Sequence, residues 1–289
     1  MDLPFSPTMS DSYAVIGHPI AHSKSPLIHG LFAQATGQDM IYQAIDGGAE
    51  AGGFDRALAA FRAAGGRGMN VTLPFKLQAL AAADVASEDA RLAGAANALR
   101  FDADGRVQAQ NFDGIGLVRD IQANLGLPLA GRQVLLLGAG GATRGALLPL
   151  ARAGAARIVL ANRTAAKAQA LADELAPHLP AGCTLLGGGL AELPPGVAFD
   201  LVLNATSASL GGDTPAVPAA AFAPDALAYD MVYGKGLTPF LQLARAAGVA
   251  RLADGVGMLV EQAAEAFAWW RGVRPDTTAV RQRLTVPLV

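Results

Sequence analysis

Apolar and polar positions follow two different periods along this chain of 289 residues. Short apolar runs bounded by Gly, Pro or polar residues are typical of buried strands, and apolar residues three or four positions apart are typical of helices. The two kinds of segment follow one another along most of the chain. The pattern therefore predicts an α/β architecture with parallel sheets.

The first part of the chain is predicted to contain three strands, two helices and a hairpin. Pro26 opens a helical stretch, and Pro74 ends an apolar run. A turn at Asp102–Gly105 separates two short runs, which is the pattern of a hairpin. The strands are Tyr13–Gly17, Met40–Ile45 and Gly68–Leu73, the helices are Pro26–Thr36 and Phe54–Ala64, and the hairpin arms are Ala98–Phe101 and Arg106–Gln110.

A second α/β unit begins near Gly131, after a helix at Gly114–Leu125 and a turn that contain the predicted domain boundary. Its predicted strands and helices alternate, as in a parallel sheet with crossover helices. The strands are Gln133–Leu137, Arg157–Ala161, Leu201–Leu203 and Ala228–Val232, and the helices are Thr143–Ala153, Thr164–Leu175 and Met258–Trp270.

Composition excludes several classes of protein. The formal net charge of −2 with 52% hydrophobic residues excludes an intrinsically disordered chain and offers no basic face for nucleic acid or anionic lipid. Cys183 is the single cysteine, which excludes a disulfide framework and a cysteine zinc cluster. The first residues lack the pattern of a signal peptide, and no apolar run reaches the ~20 residues that span a bilayer. We expect a soluble cytosolic protein whose partners are small molecules or other subunits.

A glycine-rich turn follows the strand at Gln133–Leu137 and opens the next helix. Glycines at such a turn let a pyrophosphate approach the backbone, and the free N–H groups of the helix N-terminus attract its charge. The residues are Gly138, Ala139, Gly140, Gly141 and Ala142. Plain packing of strand against helix is the alternative interpretation.

The end of the next strand favours NADP over NAD. That strand ends at Ala161 and is followed by Asn162, Arg163 and Thr164, without the acidic residue that binds a ribose 2′-hydroxyl. Arg163 instead offers a cation for a 2′-phosphate, with Lys167 one turn farther on. The alternative is a helix-capping Thr164 beside a solvent-exposed arginine.

Polar residues also follow strand ends in the N-terminal part. Ser23 and Ser25 precede a helix, and Lys76, Asn97 and Asp113 follow predicted strands or loops. Ligands collect at the carboxyl ends of strands in open α/β sheets, although each of these residues alone is more often a cap or a surface residue. Only four of the 22 Lys and Arg residues are lysines, so a lysine retained here is a mild indication that an amine is needed.

Taken together, these blocks resemble the shikimate dehydrogenase family over nearly the whole chain, from Tyr13 to Gly272. They occur in one order: Ser-x-Ser-Pro, Asn-Val-Thr-x-Pro-x-Lys, Gly-x-x-Asn, Asn-x-Asp-Gly, the glycine-rich turn and Asn-Arg-Thr. Further matches lie at Asn204–Ser207, Asp230–Tyr233, Thr238–Leu241 and Gly255–Ala263.

The resemblance implies a two-domain α/β protein with its active site in the cleft between the domains. Residues 1–120 would form an N-terminal substrate-binding domain and residues 121–255 a Rossmann-type NADP-binding domain. Residues 256–289 would form C-terminal helices, the first packing back toward the substrate domain. The implied reaction is reversible hydride transfer between NADPH and 3-dehydroshikimate, giving shikimate, in the aromatic amino-acid pathway. The implied partner is a small hydroaromatic acid, without nucleic acid, membrane or metal, and the protein would be a monomer or homodimer.

The resemblance also implies roles for individual residues. Lys76 and Asp113 would form the catalytic pair. Ser23 and Ser25, helped by Thr72 and Tyr233, would hold the substrate carboxylate. The ring hydroxyls would be bound by Lys76, Asn97, Asp113 and Gln262. The cofactor would be bound by Gly138, Ala139, Gly140, Gly141, Ala142, Asn162, Arg163, Thr164 and Lys167, with Met231 and Gly255 at the nicotinamide end and Glu88 nearby.

Four positions depart from the family pattern. His18 stands where Asn is usual, Ala98 where Thr is usual, and Phe112 where Thr is usual. Gly234-Lys235-Gly236 replaces the usual Asn-Pro start of its stretch. Phe112 is either a core contact or a change in the pocket. In the second case the chain would be a related paralogue acting on quinate or an amino-substituted analogue. A non-catalytic ligand sensor is a further alternative, against which the intact Lys76 and Asp113 argue.

Overall fold

The computed structural model describes residues 10–206, 216–234 and 236–288, so Ser207 and Lys235 lie outside the described residues. The chain divides into two compact units. The first consists of Met1–Ser87, Ala96–Gln110 and Ala263–Asp276, and the second of Glu88–Ala95, Asn111–Gln262 and Thr277–Val289.

This division differs in detail from the predicted boundaries. The chain first enters the second unit at Glu88, leaves it at Ala96 and enters it again at Asn111, not at residue 121. The reason is that Leu117 and Ile121 are buried in the core of the second unit. The predicted C-terminal segment is also divided, because residues 263–276 group with the first unit.

The first unit is built on a six-stranded sheet in the order β2-β1-β3-β5-β6-β4. Strand β1 pairs in parallel with both β2 and β3, and β5 pairs antiparallel with β3 and β6. The predicted hairpin is therefore confirmed as β5–β6. The strands are β1 (Asp11–Gly17), β2 (Met40–Asp46), β3 (Gly66–Val71), β4 (Val85–Ala86), β5 (Ala98–Phe101) and β6 (Val107–Gln110).

Helices cover this sheet because they carry apolar faces of the right spacing. Phe54, Leu58 and Phe61 lie on one side of α2 and are buried against the sheet, as their spacing predicts. Helix α1 begins with Pro26 in its first turn and ends at Gly37, which adopts the left-handed conformation with φ of 64°. The helices are α1 (Ser25–Thr36), α2 (Gly53–Ala63) and α3 (Lys76–Ala81).

The second unit contains a six-stranded sheet in the order β12-β11-β10-β7-β8-β9, in which all paired strands are parallel. This order reverses direction beside β7, as in dinucleotide-binding doubly wound folds. The strands are β7 (Gln133–Leu137), β8 (Arg157–Ala161), β9 (Thr184–Gly188), β10 (Phe199–Asn204), β11 (Phe222–Asp230) and β12 (Arg251–Asp254).

Both faces of this sheet are covered, which explains why its strands are nearly continuous apolar runs. Val134 and Leu136 of β7 face one buried cluster, and Leu135 and Leu137 face the other. The helices are α4 (Glu88–Ala93), α5 (Asp113–Arg119), α6 (Gly141–Arg152), α7 (Ala165–Leu175), α8 (Pro239–Ala246), α9 (Val256–Arg271) and α10 (Thr278–Leu284). Residues 256–262 of α9 belong to this unit and its later residues to the first.

The sequence pattern missed several short elements. Strands β4, β9 and β12 and helices α3, α4, α8 and α10 were not predicted, since most are too short to show a period. The predicted helix Gly114–Leu125 is α5 followed by a single π-helical turn at Asp120–Asn124. Within the described residues, none of the helices has the length and apolar character needed to cross a bilayer.

Candidate active site

A groove of about 1280 Å³ lies in the second unit at the carboxyl ends of its parallel strands. Its walls are the segments that follow β7, β8, β9 and β10. Of the residues predicted to bind cofactor, nine line this groove: Gly138, Ala139, Gly140, Gly141, Ala142, Asn162, Arg163, Thr164 and Lys167. Gly189–Glu192, Ala205 and Thr206 line it too, and the sequence analysis did not single them out as cofactor-binding.

The glycine-rich turn has the geometry that a pyrophosphate requires. Gly138 has φ of +104°, a conformation that side chains disfavour, and Thr143 Oγ1 holds the turn by donating to the Gly138 carbonyl at 3.0 Å. A Cβ at Gly140 or Gly141 would meet open space. Helix α6 starts here with Gly140 as its N-cap and without a side-chain cap, so its first N–H groups face the groove uncapped.

Cations without an ion-pair partner in the described part of the chain lie on one wall of the groove. Arg163 and Lys167 are both exposed, on the turn after β8 and on α7. Asn162 Nδ2 donates to the Thr164 carbonyl at 3.0 Å, which fixes the loop between them. Glu192 lines the same groove, but its carboxylate accepts the Gly189 N–H at 2.7 Å. The donor set suits a 2′-phosphate, so these residues fit NADP.

Glu88 lies outside this groove. The residue begins α4, and its carboxylate accepts a 3.1 Å bond from Arg152, the last residue of α6. The glycine-rich turn is at the opposite end of that helix, ~16 Å away at 1.5 Å per residue. The structure therefore does not bring Glu88 to the other predicted cofactor residues, and its role stays a prediction.

Met231 and Gly255 lie together where β11 and β12 end. A Cβ at Gly255 would be 2.4 Å from the Met231 carbonyl oxygen, so only glycine allows this approach. The Met231 N–H donates to the Asn204 carbonyl at 2.9 Å, and the Gly255 N–H donates to the Val232 carbonyl at 3.2 Å. Both residues are thus fixed at the carboxyl edge of the sheet, but neither is among the groove-lining residues.

The first unit collects its predicted substrate residues at one edge of its own sheet. The Ser25 N–H donates to Ser23 Oγ at 3.3 Å, and Ser25 is buried at the start of α1. The loop after β3 lies beside the end of β1, since the Thr72 N–H donates to the Ile16 carbonyl at 2.9 Å. A Cβ at Gly17 would be 2.5 Å from Thr72 Cγ2. Ser23, Ser25 and Thr72 are thereby held in neighbouring loops.

Lys76 and Asn97 are held at the same edge. The Lys76 carbonyl accepts the Ala96 N–H at 2.9 Å, so the start of α3 adjoins the residues before β5. Asn97 is 2% exposed, and its carbonyl accepts the Val71 N–H at 2.8 Å. Lys76 is half-buried. The first unit thus brings together five predicted substrate residues: Ser23, Ser25, Thr72, Lys76 and Asn97.

Asp113 and Tyr233 belong to the second unit. Asn111 orients the start of α5 by accepting the Asp113 N–H on Oδ1 at 3.1 Å while its Nδ2 donates to the Ala95 carbonyl at 2.9 Å. Partial desolvation and then the negative charge of Asp113 raise the pKa of Tyr233, although 42% of this side chain is exposed.

Gln262 lies on α9 where this helix packs closely against α5. A Cβ at Gly116 would be 2.6 Å from the Gln262 backbone nitrogen, so α5 and α9 meet without a side chain between them. Gln262 Nε2 donates to the Leu259 carbonyl at 2.8 Å. Nearby, Asn124 donates to both Asp120 (2.9 Å) and Glu261 (3.0 Å).

The departures from the family pattern are structurally of different kinds. Phe112 is 7% exposed and Ala98 is fully buried, so both are core positions. His18 Nδ1 lies 2.7 Å from Asp46 Oδ1 in an exposed pair, and this bond is the first of the contacts that lower the pKa of Asp46. The Gly234 N–H donates to Asp254 at 3.2 Å.

Several well-connected polar residues were overlooked by the sequence analysis. Tyr42, Asn70 and Asn111 make hydrogen bonds to or beside the predicted site residues. Asn70 and Asn111 lie within sequence motifs, which could have identified them. Tyr42 lies in no such motif. Among the described residues there is no group of three or more His, Cys, Asp or Glu side chains that could hold a metal ion.

Comparisons with known proteins agree with this geometry. Three family models match the chain: the shikimate dehydrogenase substrate binding domain at residues 15–99, shikimate / quinate 5-dehydrogenase at 120–209 and the shikimate 5′-dehydrogenase C-terminal domain at 255–285. A curated protein of Dechloromonas aromatica, named shikimate dehydrogenase (NADP(+)), is 55% identical over 97% of this chain and 100% of its own length.

Solved structures give the same fold. An Ael1 enzyme from Pseudomonas putida is 60% identical with a TM-score of 0.90, covering 97% of this chain and 100% of that one. Shikimate 5-dehydrogenase from Thermus thermophilus, in complex with NADP(H) and shikimate, is 35% identical with a TM-score of 0.80, covering 94% and 97%. This two-unit α/β chain belongs to the shikimate dehydrogenase family.

Proposed function

We propose that the chain is an NADP-dependent shikimate dehydrogenase that interconverts 3-dehydroshikimate and shikimate. The observation that carries the proposal is the groove of the second unit, where an uncapped helix N-terminus lies beside Arg163 and Lys167. Support also comes from the full-length relative named for this activity at 55% identity. NADP supplies the hydride donor or acceptor when it is bound.

In this proposal the substrate carboxylate is bound by side-chain hydroxyl groups. Ser23 and Ser25 are held by the loop before α1, with Thr72 in the neighbouring loop and Tyr233 after β11. Hydroxyl donors to a carboxylate form charge-assisted hydrogen bonds, which are about twice as strong as neutral ones. Asn97 and Gln262 are assigned to the ring hydroxyls.

Lys76 is assigned the proton transfer. Reduction of a ketone leaves an alkoxide on the carbonyl oxygen, and this oxygen must receive a proton or a cation. The Lys76 ammonium supplies both. In the oxidative direction the amine accepts the hydroxyl proton as the hydride leaves the same carbon. Asp113, whose backbone Asn111 orients, is the second member of the catalytic pair.

A paralogue acting on another hydroaromatic acid is the second candidate function. The observation in its favour is the Ael1 enzyme, which is 60% identical and carries a different name from the shikimate dehydrogenases. Quinate or an amino-substituted analogue would then be the better substrate. The buried position of Phe112 favours a core role for this departure and so favours shikimate.

The deciding experiment is a steady-state assay of NADP⁺ reduction with shikimate, quinate and an amino analogue, with NAD⁺ in parallel. We expect the highest kcat/KM with shikimate and NADP⁺. A far higher kcat/KM with quinate or the amino analogue would establish the paralogue instead. Failure to reduce either cofactor with any of these alcohols would favour a ligand sensor.

The proposal also covers the substrate class, the cellular location and the oligomeric state of the enzyme. The substrate is a small hydroaromatic acid, and the enzyme works in the cytoplasm as a monomer or homodimer. Sedimentation of the purified protein with and without NADP⁺ tests the oligomeric state.

A further inference from the structure

Tyr42 is joined to Asn97, one of the residues assigned to the substrate, through a hydrogen-bonded bridge. Its hydroxyl, at the end of a side chain on β2, donates to Asn70 Oδ1 of β3 at 2.7 Å. Asn70 Nδ2 in turn donates to the backbone carbonyl of Asn97 at 3.2 Å. Ser25 lies beside the same phenol, close enough to lower its pKa. The bridge therefore runs from Tyr42 through Asn70 to Asn97.

The direction of each bond in this bridge follows from the inventory of donors. The Asn97 carbonyl can only accept, so Asn70 must present its amide NH₂ to that carbonyl and its oxygen to Tyr42. Tyr42 has one hydrogen, which therefore goes to Asn70.

The bridge is largely buried, which makes its bonds costly to lose. Asn70 and Asn97 are 5% and 2% exposed, and Tyr42 is half-buried. Desolvation raises the pKa of Tyr42 well above its usual value, against the smaller opposing effect of the nearby Ser25 side chain. The phenol therefore stays protonated and remains a donor to Asn70 across the working pH range. A buried polar group left without its partner costs free energy, which keeps the bridge intact.

The ring of Tyr42 is held independently of its hydroxyl. It stacks on the His29 ring with centroids 4.1 Å apart and planes inclined by 5°, and the Trp270 ring lies nearby at a centroid distance of 6.4 Å. Removal of the hydroxyl alone therefore leaves the packing in place. This separates the bridge from the core around it.

We propose that Tyr42 is a positioning residue for substrate binding, setting the place of Asn97 through Asn70. The proposal rests on the proposed function, in which Asn97 binds a ring hydroxyl. Asn70 holds the backbone of Asn97, and Tyr42 keeps the Asn70 amide turned toward that carbonyl. Tyr42 itself touches neither substrate nor cofactor in this proposal.

The test is the substitution Tyr42→Phe, with Tyr13→Phe as the matched control. Tyr13 also belongs to the sheet of the first unit and stacks on Trp270 at 4.9 Å, but its hydroxyl faces Arg271 at 3.5 Å. We expect Tyr42→Phe to raise the KM for the hydroaromatic acid by about 3- to 10-fold, the value of one lost hydrogen bond. The kcat and the KM for NADP⁺ should change by less than about twofold, and Tyr13→Phe should leave all three unchanged.

The readouts separate a positioning role from a structural one. Both tryptophans of the chain lie in the first unit, so their fluorescence reports its unfolding by urea. Loss of folded protein lowers the apparent kcat and leaves the KM unchanged, so a fall in kcat without a rise in KM would overturn the assignment. An unchanged KM in folded Tyr42→Phe would overturn it too.

Binding of shikimate and of quinate to the wild-type protein is measured alongside by calorimetry. A wild type that binds neither acid overturns the proposed function and the role of Tyr42 together. A wild type that binds one of them, with the same affinity in Tyr42→Phe, overturns the role of Tyr42 alone.

Discussion

At the scale of single residues, Lys76 carries the proposed chemistry. It is half-buried at the first position of α3, where its backbone carbonyl accepts a hydrogen bond from the Ala96 N–H. An ammonium at this point can both neutralise an alkoxide and give it a proton. A guanidinium could do only the first, because it does not release its proton near neutral pH.

We therefore expect Lys76→Ala to lower kcat by about 10²- to 10⁴-fold, the usual contribution of a positioned acid or base. The KM for the acid should rise much less. Lys76→Arg keeps the charge and should remain almost as slow. Steady-state rates of NADP⁺ reduction measure both effects. A rise in KM alone would make Lys76 a binding residue, and an active Arg variant would point to electrostatic stabilisation without proton transfer.

His29 is a residue that the proposed chemistry does not use, although it is fully buried beside Tyr42. Neither of its ring nitrogens makes a hydrogen bond in the described part of the chain. Burial lowers the pKa of His29 to about 3, and the proximity of Asn70 opposes this only weakly. The ring is therefore neutral in the folded protein, while in the unfolded chain it takes up a proton below pH 6.5.

This difference predicts a specific dependence of stability on pH. Between pH 6.5 and about 3 the unfolded state binds a proton at His29 that the folded state does not, so stability falls as pH falls. The contribution of His29 to the slope of the unfolding free energy against pH approaches about 1.4 kcal/mol per pH unit. We expect His29→Leu to remove this contribution. Urea unfolding followed by tryptophan fluorescence across this window checks it, and parallel curves for both proteins would contradict it.

At the scale of elements, close packing requires glycine at some helical positions and leaves room for a side chain at others. Gly257, in the first turn of α9, has the Asp120 carboxylate where its Cβ would be, at 2.0–2.2 Å. Gly145, inside α6 of the same unit, would place a Cβ no closer than 3.8 Å to its neighbours. Close packing of α9 on the π-helical turn therefore depends on Gly257.

We expect Gly257→Ala to destabilise the protein by at least about 1–3 kcal/mol, since the added atom forces the backbone or Asp120 to move. Gly145→Ala is the matched control. It should be neutral or stabilise by up to about 1 kcal/mol, because alanine loses less backbone entropy in a helix. Urea unfolding followed by circular dichroism measures both. Equal effects of the two substitutions would show that Asp120 does not constrain α9.

At the scale of the whole molecule, the residues proposed to choose the cofactor and five of those proposed to bind the substrate lie in different units. Arg163 and Lys167 line the groove of the second unit. Ser23, Ser25, Thr72, Lys76 and Asn97 lie at the sheet edge of the first. A change in the groove should therefore alter the cofactor's KM without altering that of the acid.

We expect Arg163→Ala to raise the KM for NADP⁺ by about 10- to 100-fold, the value of a charge-assisted hydrogen bond to the 2′-phosphate. The KM for NAD⁺ and for the hydroaromatic acid should stay nearly constant. Arg245→Ala, an exposed arginine of α8 outside the groove, makes the same change in net charge and should affect none of these values. An equal rise in the KM for NADP⁺ and NAD⁺ would mean that Arg163 does not contact the 2′-phosphate.

The sequence was sufficient for the long helices and for nine of the residues that line the groove of the second unit. The parallel strands β7 and β8 and the turn between Gly138 and Ala142 are local, since strand, turn and helix start follow one another directly in the chain. Periodicity identified α1, α2, α6 and α7 because each has at least 11 residues. Short elements such as α3 and β4 carry too few residues to show a period, and they were missed.

The sequence by itself thus determined the α/β class, the family and the local motifs, because these depend on residues that are neighbours along the chain. Only the tertiary structure decided that Tyr42 is joined to Asn97 through Asn70 and that α5 belongs to the second unit. It also placed Glu88 with Arg152, at the far end of α6 from the glycine-rich turn. These relations depend on how sheets and helices pack, and hydrogen bonds between residues tens of positions apart leave no periodic trace in a sequence.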